Sequence, residues 1–278
     1  MVAMAHGDYG PDLDQFADAE VGLADFVGEQ GVLLGAGSAV MLQLAMKGVG
    51  LGVAEHSTTL TRPLDRLRTT LTYIYVMAWG TPEEQREIAR LVNRMHTKVR
   101  SAGRYSAFDQ DLQLWVAATL VYSGEQMYEK LFGRLDPASR ERVYRESWIY
   151  GTALQVPEEM WPPTRDEFDV YFENTMRTLE SDPIIIDYAH RLLSSRGAPP
   201  LMRLALPLQS LMTRGNLDPR VRELLRLRWS RIDQFAYDAF WAVLPPVYRL
   251  VPRKVRQAGA HRVLNDMRRR LAAGRRVI

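Results

Sequence analysis

A chain of 278 residues that is 46% hydrophobic and 25% charged has the composition of a globular protein with a sizeable core, which excludes the disordered and fibrous classes. It has no cysteine, so disulfides, thiolate zinc sites, iron–sulfur clusters and cysteine nucleophiles are ruled out, and a metal must rest on His, Asp, Glu, Tyr or Met. The formal charge of +3 is unevenly spread: Arg249 to Ile278 holds ten Lys or Arg against one acid, Asp266, and the rest of the chain is net acidic.

Met1 to Asp12 carries His6, Asp8 and Asp12 and lacks a basic region followed by an apolar run, so it does not read as a secretory leader and a cytoplasmic location is expected. Gly31 to Ala54 is the most apolar long stretch. It approaches the roughly 20 residues of a membrane span. Gln43, Lys47 and glycines at 31, 35, 37, 48, 50 and 52 interrupt it, and that density of small residues points instead to closely packed buried helices.

A helix is expected from about Pro63 to Trp79, with an apolar stripe at Leu64, Leu67, Leu71, Ile74 and Ala78 and with Arg66 and Thr70 on one flank. Thr81-Pro82-Glu83-Glu84 then combines an N-cap hydroxyl, a proline at the first helical position and a glutamate three residues after the cap. These start a helix expected to run to about Arg100. Ile88, Val92, Met95 and Val99 form its stripe, which turns His96 toward the core and sets Arg100 one turn on. Of the five histidines, at 6, 56, 96, 190 and 261, His96 is singled out by this position. On spacing alone it is either a hydrogen-bonded core histidine or a haem iron ligand with Arg100 placed for a propionate. Arg66 and Thr70 are likewise either a surface arginine and a helix-interior threonine, or a pair that polarises a bound oxygen.

Further along, Leu112 to Tyr122 and Leu224 to Val243 follow the helical period. Thr164-Arg165-Asp166-Glu167 is a second capping box, and Asp136-Pro137, Asp182-Pro183 and Asp218-Pro219 are further helix starts, with Gly133, Gly197 and Gly215 at helix ends. Pro162-Pro163, Pro199-Pro200 and Pro245-Pro246 read as turns between helices. Convincing strand alternation is absent. The fold class is therefore all-α, a single multi-helix bundle domain over residues 1–278 with about nine to eleven helices. In the basic tail, 249–278, Val255, Val263, Met267 and Leu271 recur near helical spacing, so it is either a solvated helical end or a peripheral membrane contact. No recognition motif accompanies the charge, so nucleic acid is not expected as a partner.

Four blocks carry a family resemblance: Val53-Ala54-Glu55-His56-Ser57, Arg66-Leu67-Arg68-Thr69-Thr70, His96-Thr97-Lys98-Val99-Arg100, and Tyr105-Ser106-Ala107 onward to Leu114-Trp115-Val116 and Thr119-Leu120-Val121. In order and spacing they are similar to the MpaB and rubber-oxygenase (latex-clearing-protein) catalytic-domain family, with the resembling core at about 31–160. The resemblance implies a helical fold around haem b, His96 as proximal iron ligand, and Arg66 and Thr70 on the distal side, acting with dioxygen on an apolar, isoprenoid- or lipid-like substrate. The chain departs from the pattern at Thr69, where the rubber oxygenases have lysine. It also has Met46-Lys47 where many relatives read His-Pro, and Ala117 where many have histidine. His56 is expected to be structural, and Met46 to fill the core rather than ligate iron. The other class of function open to the chain is that of a haem-free relative that binds an apolar ligand or a membrane surface. A hydrolase or a di-iron carboxylate enzyme is disfavoured, since the chain has neither Gly-x-Ser-x-Gly nor Glu-x-x-His.

Overall fold

The computed structural model describes residues 13, 16, 18–194 and 200–277, so Met1 to Asp12, Gly197 and Pro199 lie outside the described residues. The fold is all-α. In chain order it runs α1 (Leu23–Gly28), a 3-10 segment (Gln30–Gly35), α2 (Ala36–Ala45), α3 (Lys47–His56), α4 (Pro63–Trp79) and α5 (Pro82–His96). After the short hairpin of β1 (Arg100–Ser101) and β2 (Tyr105–Ser106) come α6 (Gln110–Phe132), α7 (Pro137–Glu146), α8 (Ile149–Thr152), α9 (Arg165–Arg177) and α10 (Pro183–Leu193). The last elements are α11 (Pro200–Gly215), α12 (Pro219–Leu224), α13 (Arg231–Leu250), α14 (Arg253–Arg256) and α15 (Ala258–Ala272). There are more helical segments than expected, because α1, α8, α12 and α14 span too few residues to show a period.

The capping signals act as read. Thr81 accepts from the Glu84 N–H and Glu84 returns to the Thr81 N–H at 3.0 Å, and Thr164 and Glu167 repeat the exchange. Asp136, Asp182 and Asp218 each accept a backbone N–H at the start of a proline-initiated helix. Gly133 ends α6 at φ +94°, a backbone conformation that favours glycine.

Three expectations need correction. Leu224 to Val243 is not one helix: α12 stops at Leu224, and a Ser230–Asp233 capping box starts α13 afresh at Arg231. Pro245-Pro246 is not a turn but lies inside α13. The helix is at the surface there, with Ala242 and Val243 exposed, so water can meet the carbonyls that lose their donors. The third is the start of α4, where Leu64 and Leu67 are 62% and 48% exposed and Thr69, Thr72, Tyr75, Val76 and Met77 form the buried face.

The apolar stretch at 31–54 folds as closely packed, bent helices. The segments Gln30–Ala45 and Lys47–His56 meet at 107°, and no single helix among the described residues is long and apolar enough to cross a membrane. Met41, Leu42, Leu44 and Ala45 of α2 are buried against α6, where Trp115 Nε1 donates to the Leu42 carbonyl at 3.1 Å and Gln43 Nε2 to Thr119 Oγ1 at 2.9 Å. A cluster of buried side chains extends from Leu23 to Val277.

The basic tail belongs to this core. On α15, Ala260, Leu264 and Met267 are buried, with Val263 and Leu271 packed against them. His261 stacks on Trp79 of α4 at 5.1 Å, Arg268 pairs with Glu84 of α5 at 2.7 Å, and Arg68 of α4 donates to the Val277 carbonyl. The apolar face of the tail is thereby committed to α4, and what it turns outward is charge.

Candidate functional site

Helices α4 and α5 pack together through the short connection at Gly80-Thr81, and α5 ends on His96. His96 is half-buried, with Phe108 edge-on to its ring at 6.4 Å and 89°, and its Nδ1 is buried with no hydrogen-bond partner. Burial pushes its pKa down to about 4, and the Arg66 charge adds to the effect. At neutral pH the imidazole is therefore uncharged and keeps a nitrogen lone pair, the state a metal ligand needs.

Arg66, on the second turn of α4, has no hydrogen-bonded or ion-paired partner for its guanidinium among the described residues. It is accessible, yet protein crowds it enough that burial lowers its pKa, opposed by the Tyr188 phenol. A side chain that is both accessible and crowded lines a recess. Leu64 and Leu67 flank it on α4, so the start of the stripe read as core is instead an uncovered apolar face beside a cation and a neutral histidine, while Leu71, Ile74 and Ala78 pack against the core.

Thr70 lies four residues after Arg66, and its hydroxyl donates to the Arg66 carbonyl at 3.0 Å, which leaves its oxygen lone pairs able to accept. Thr69, at the position of the rubber-oxygenase lysine, is buried and bonds back to the Asp65 carbonyl at 2.9 Å. Short and turned to its own helix, it presents no cation toward Arg66.

Arg100 is not one helical turn beyond His96. Helix α5 stops at His96, and Arg100 lies in β1, exposed and opposite Ser106, with no ion-paired partner among the described residues. The hairpin docks on α3 through Tyr105, whose hydroxyl donates to Glu55 Oε2 at 2.5 Å and lies 3.0 Å from His56 Nε2, while Arg104 pairs with Glu55 at 2.9 Å. His56 is thus tied into a structural contact. Met46 sits at the α2–α3 bend, partly buried against the core, and Ala117 is buried in α6.

Sequence reasoning missed two neighbours. Tyr188 on α10 is 4% exposed with its hydroxyl buried and unpartnered, and it acts on Arg66; its only signal was the core spacing of Ile185, Tyr188 and Ala189. Phe108 follows the hairpin, and nothing local marked it. Two hollows lie elsewhere: one of about 370 Å³ touches Leu23, Met77, Arg142 and Trp148, and an apolar one of about 70 Å³ touches Phe26, Ile74, Leu120 and Tyr150. Neither is lined by Arg66, Thr70 or His96. Among the described residues no three His, Cys, Asp or Glu converge to hold a metal ion.

Comparison with known proteins adds an independent line. The chain is 36% identical over 248 residues to the uncharacterized proteins Mb2261 of Mycobacterium bovis and Rv2237 of Mycobacterium tuberculosis, covering 86% of this chain and 97% of each relative. No solved structure matches. Residues 25–245 match the model of the ER-bound oxygenase mpaB/B'/rubber oxygenase catalytic domain, a span that includes every element from α2 to α12, and the chain belongs to that family.

Proposed function

We propose that the protein is a haem b-dependent oxygenase acting with dioxygen on an apolar, isoprenoid- or lipid-like substrate. The observation that carries the reading is His96: a neutral imidazole with a buried, unpartnered nitrogen beside an unpaired arginine. An orphaned buried polar atom is costly, and a bound group that engaged the imidazole would remove the anomaly. The residues present therefore fit the group. His96 would hold it, and Arg100, exposed and without an ion pair, would meet a propionate.

When bound, haem supplies the redox chemistry toward dioxygen, and the protein supplies binding, orientation and a dry surface. Arg66 offers fixed positive charge and five N–H donors toward an oxygen atom that gains negative charge in the reaction. Thr70, one turn further, places an accepting oxygen on the same flank. Leu64 and Leu67 give an apolar substrate a surface to lie on. Because Thr69 supplies no proton or positive charge, chemistry that relies on the rubber-oxygenase lysine has no counterpart here. Hydroxylation or dehydrogenation is then nearly as well supported as cleavage of a carbon–carbon double bond.

The test is the visible spectrum of protein produced with haem supplied, beside His96→Ala. A Soret band present in the parent and lost in a folded variant supports the reading. No band in either sink it and favour a haem-free relative that binds an apolar ligand.

A further inference from the structure

The inner face of α13 packs well: Tyr237 is buried and donates to Asn216 Oδ1 at 2.5 Å, Trp241 meets Lys130, and Tyr248 donates to Glu29 at 3.0 Å. Its outer face is uncovered. Ile232, Phe235, Ala239, Val243, Val247 and Leu250 recur every three or four residues, which sets them on one arc of the helix, and all are exposed, Phe235 by 76% and Leu250 by 84%. A 20-residue helix is about 30 Å long, so this is a continuous apolar ridge of that length. Monomeric proteins seldom leave such a surface to water.

Charge decides what covers it. Arg228 and Arg231 stand at the start of the ridge and Lys254 just past its end; all are exposed, and none has an ion-paired partner among the described residues. Arg249 is exposed near the same end, its guanidinium donating to the Leu131 carbonyl. Midway lies the acid Asp238, hydrogen-bonded by Gln234 at 2.8 Å. If two copies paired along this ridge, a parallel arrangement would set each basic end on itself, and an antiparallel one would set one basic end on the other. Either way cations face cations, and the parallel arrangement also sets Asp238 on Asp238. A flat anionic surface meets both ends with opposite charge while taking up the apolar ridge between them.

We infer that the outer face of α13 docks on an anionic lipid bilayer, with the ridge lying in the interface and Arg228, Arg231 and Lys254 meeting headgroups. This is a different surface from α15, whose apolar side is folded onto α4. It is independent of haem chemistry, because vesicle binding is read without haem or substrate. Helices with an apolar face and basic flanks bind bilayers in this way, and each Lys or Arg near the surface contributes about 1 kcal/mol.

The experiment is co-sedimentation of the full chain with vesicles of phosphatidylcholine alone or mixed with phosphatidylglycerol, at low and high salt, with far-UV circular dichroism as the folding control. The parent is expected to bind the mixed vesicles and to be released by salt. Phe235→Glu/Val247→Glu is expected to abolish binding. Arg231→Glu/Lys254→Glu is expected to weaken it at least tenfold, since about 1 kcal/mol per cation is roughly fivefold each. All four positions are exposed, so both variants are expected to stay folded. Failure of the parent to bind either vesicle, or binding unchanged in both variants, overturns the inference. So does sedimentation equilibrium that shows a dimer dissociated by Phe235→Glu, because a second copy would then own the face.

Discussion

At the scale of single residues, His96 is distinctive because its surroundings oppose its charged form. Burial lowers its pKa from 6.5 to about 4. A histidine held neutral by the fold contributes stability that is complete above pH 6.5 and is lost as pH falls toward 4, since the unfolded chain binds the proton first. The full effect is about 3 kcal/mol at 1.36 kcal/mol per unit. Urea unfolding of the protein and of His96→Gln across this range is expected to show the parent losing more stability as the solution is acidified. Equal slopes in the two proteins would contradict a neutral, desolvated imidazole. Glu125 shows the opposite case, a charge buried with partners. Both of its oxygens are taken, one by Arg140 and one by Arg165 at 2.6 and 2.8 Å, and Arg165 is itself 5% exposed. Removing one member leaves buried charge under-compensated, so Glu125→Gln is expected to cost about 3–5 kcal/mol in urea unfolding. A cost below 1 kcal/mol would mean that water reaches the network.

Between residue and domain, helix starts and close helix contacts carry the argument. Thr81 both caps α5 and sets the direction in which that helix delivers His96. Thr81→Ala is expected to cost about 1 kcal/mol in thermal unfolding, and an unchanged midpoint would show that Pro82 alone is enough to start the helix. Gly37 marks where α2 meets α11: a Cβ there would lie 1.9 Å from Thr213 Oγ1 and 2.8 Å from Gln209 Nε2. Gly37→Ala is therefore expected to lose about 1–3 kcal/mol, and Thr213→Ala in the same chain to recover part of it, because the second change removes the clashing hydroxyl. Purely additive losses would place the strain elsewhere. These starts were readable because a cap and its proline lie within four residues of each other. The prolines inside α13 were misread for a complementary reason: whether a helix survives a missing donor depends on what lies beside it, which local spacing does not encode.

Across the whole molecule, the tail and the site are mechanically joined. Helix α15 covers α4, and its Arg268 reaches Glu84 of α5, so the last helix braces the two that carry Arg66, Thr70 and His96. Deleting residues 258–278 is expected to abolish soluble folded protein, because Ala260, Leu264 and Met267 leave the core together. Arg268→Ala, which breaks one half-exposed pair, is expected to cost no more than about 1 kcal/mol. Thermal unfolding of both proteins checks this, and a stable, soluble truncation would show the tail to be an appendage.

What the sequence determined by itself was the all-α class, the excluded cysteine chemistries, most helix starts and the family, since each is written in neighbouring residues or in the order of short blocks. Tertiary structure decided which faces are covered. Leu64, Leu67 and the outer arc of α13 have the spacing of core residues, yet no element covers them. Val263, Met267 and Leu271 read as a free amphipathic tail and are packed against α4. Hydrophobic periodicity says that a face is apolar, and it is silent on what the face meets. Arg100 left the line of His96 because α5 ended a turn early, and Tyr188 joined the site from more than 90 residues away in sequence. Contacts of that separation arise when the chain packs and have no signature within a single helix.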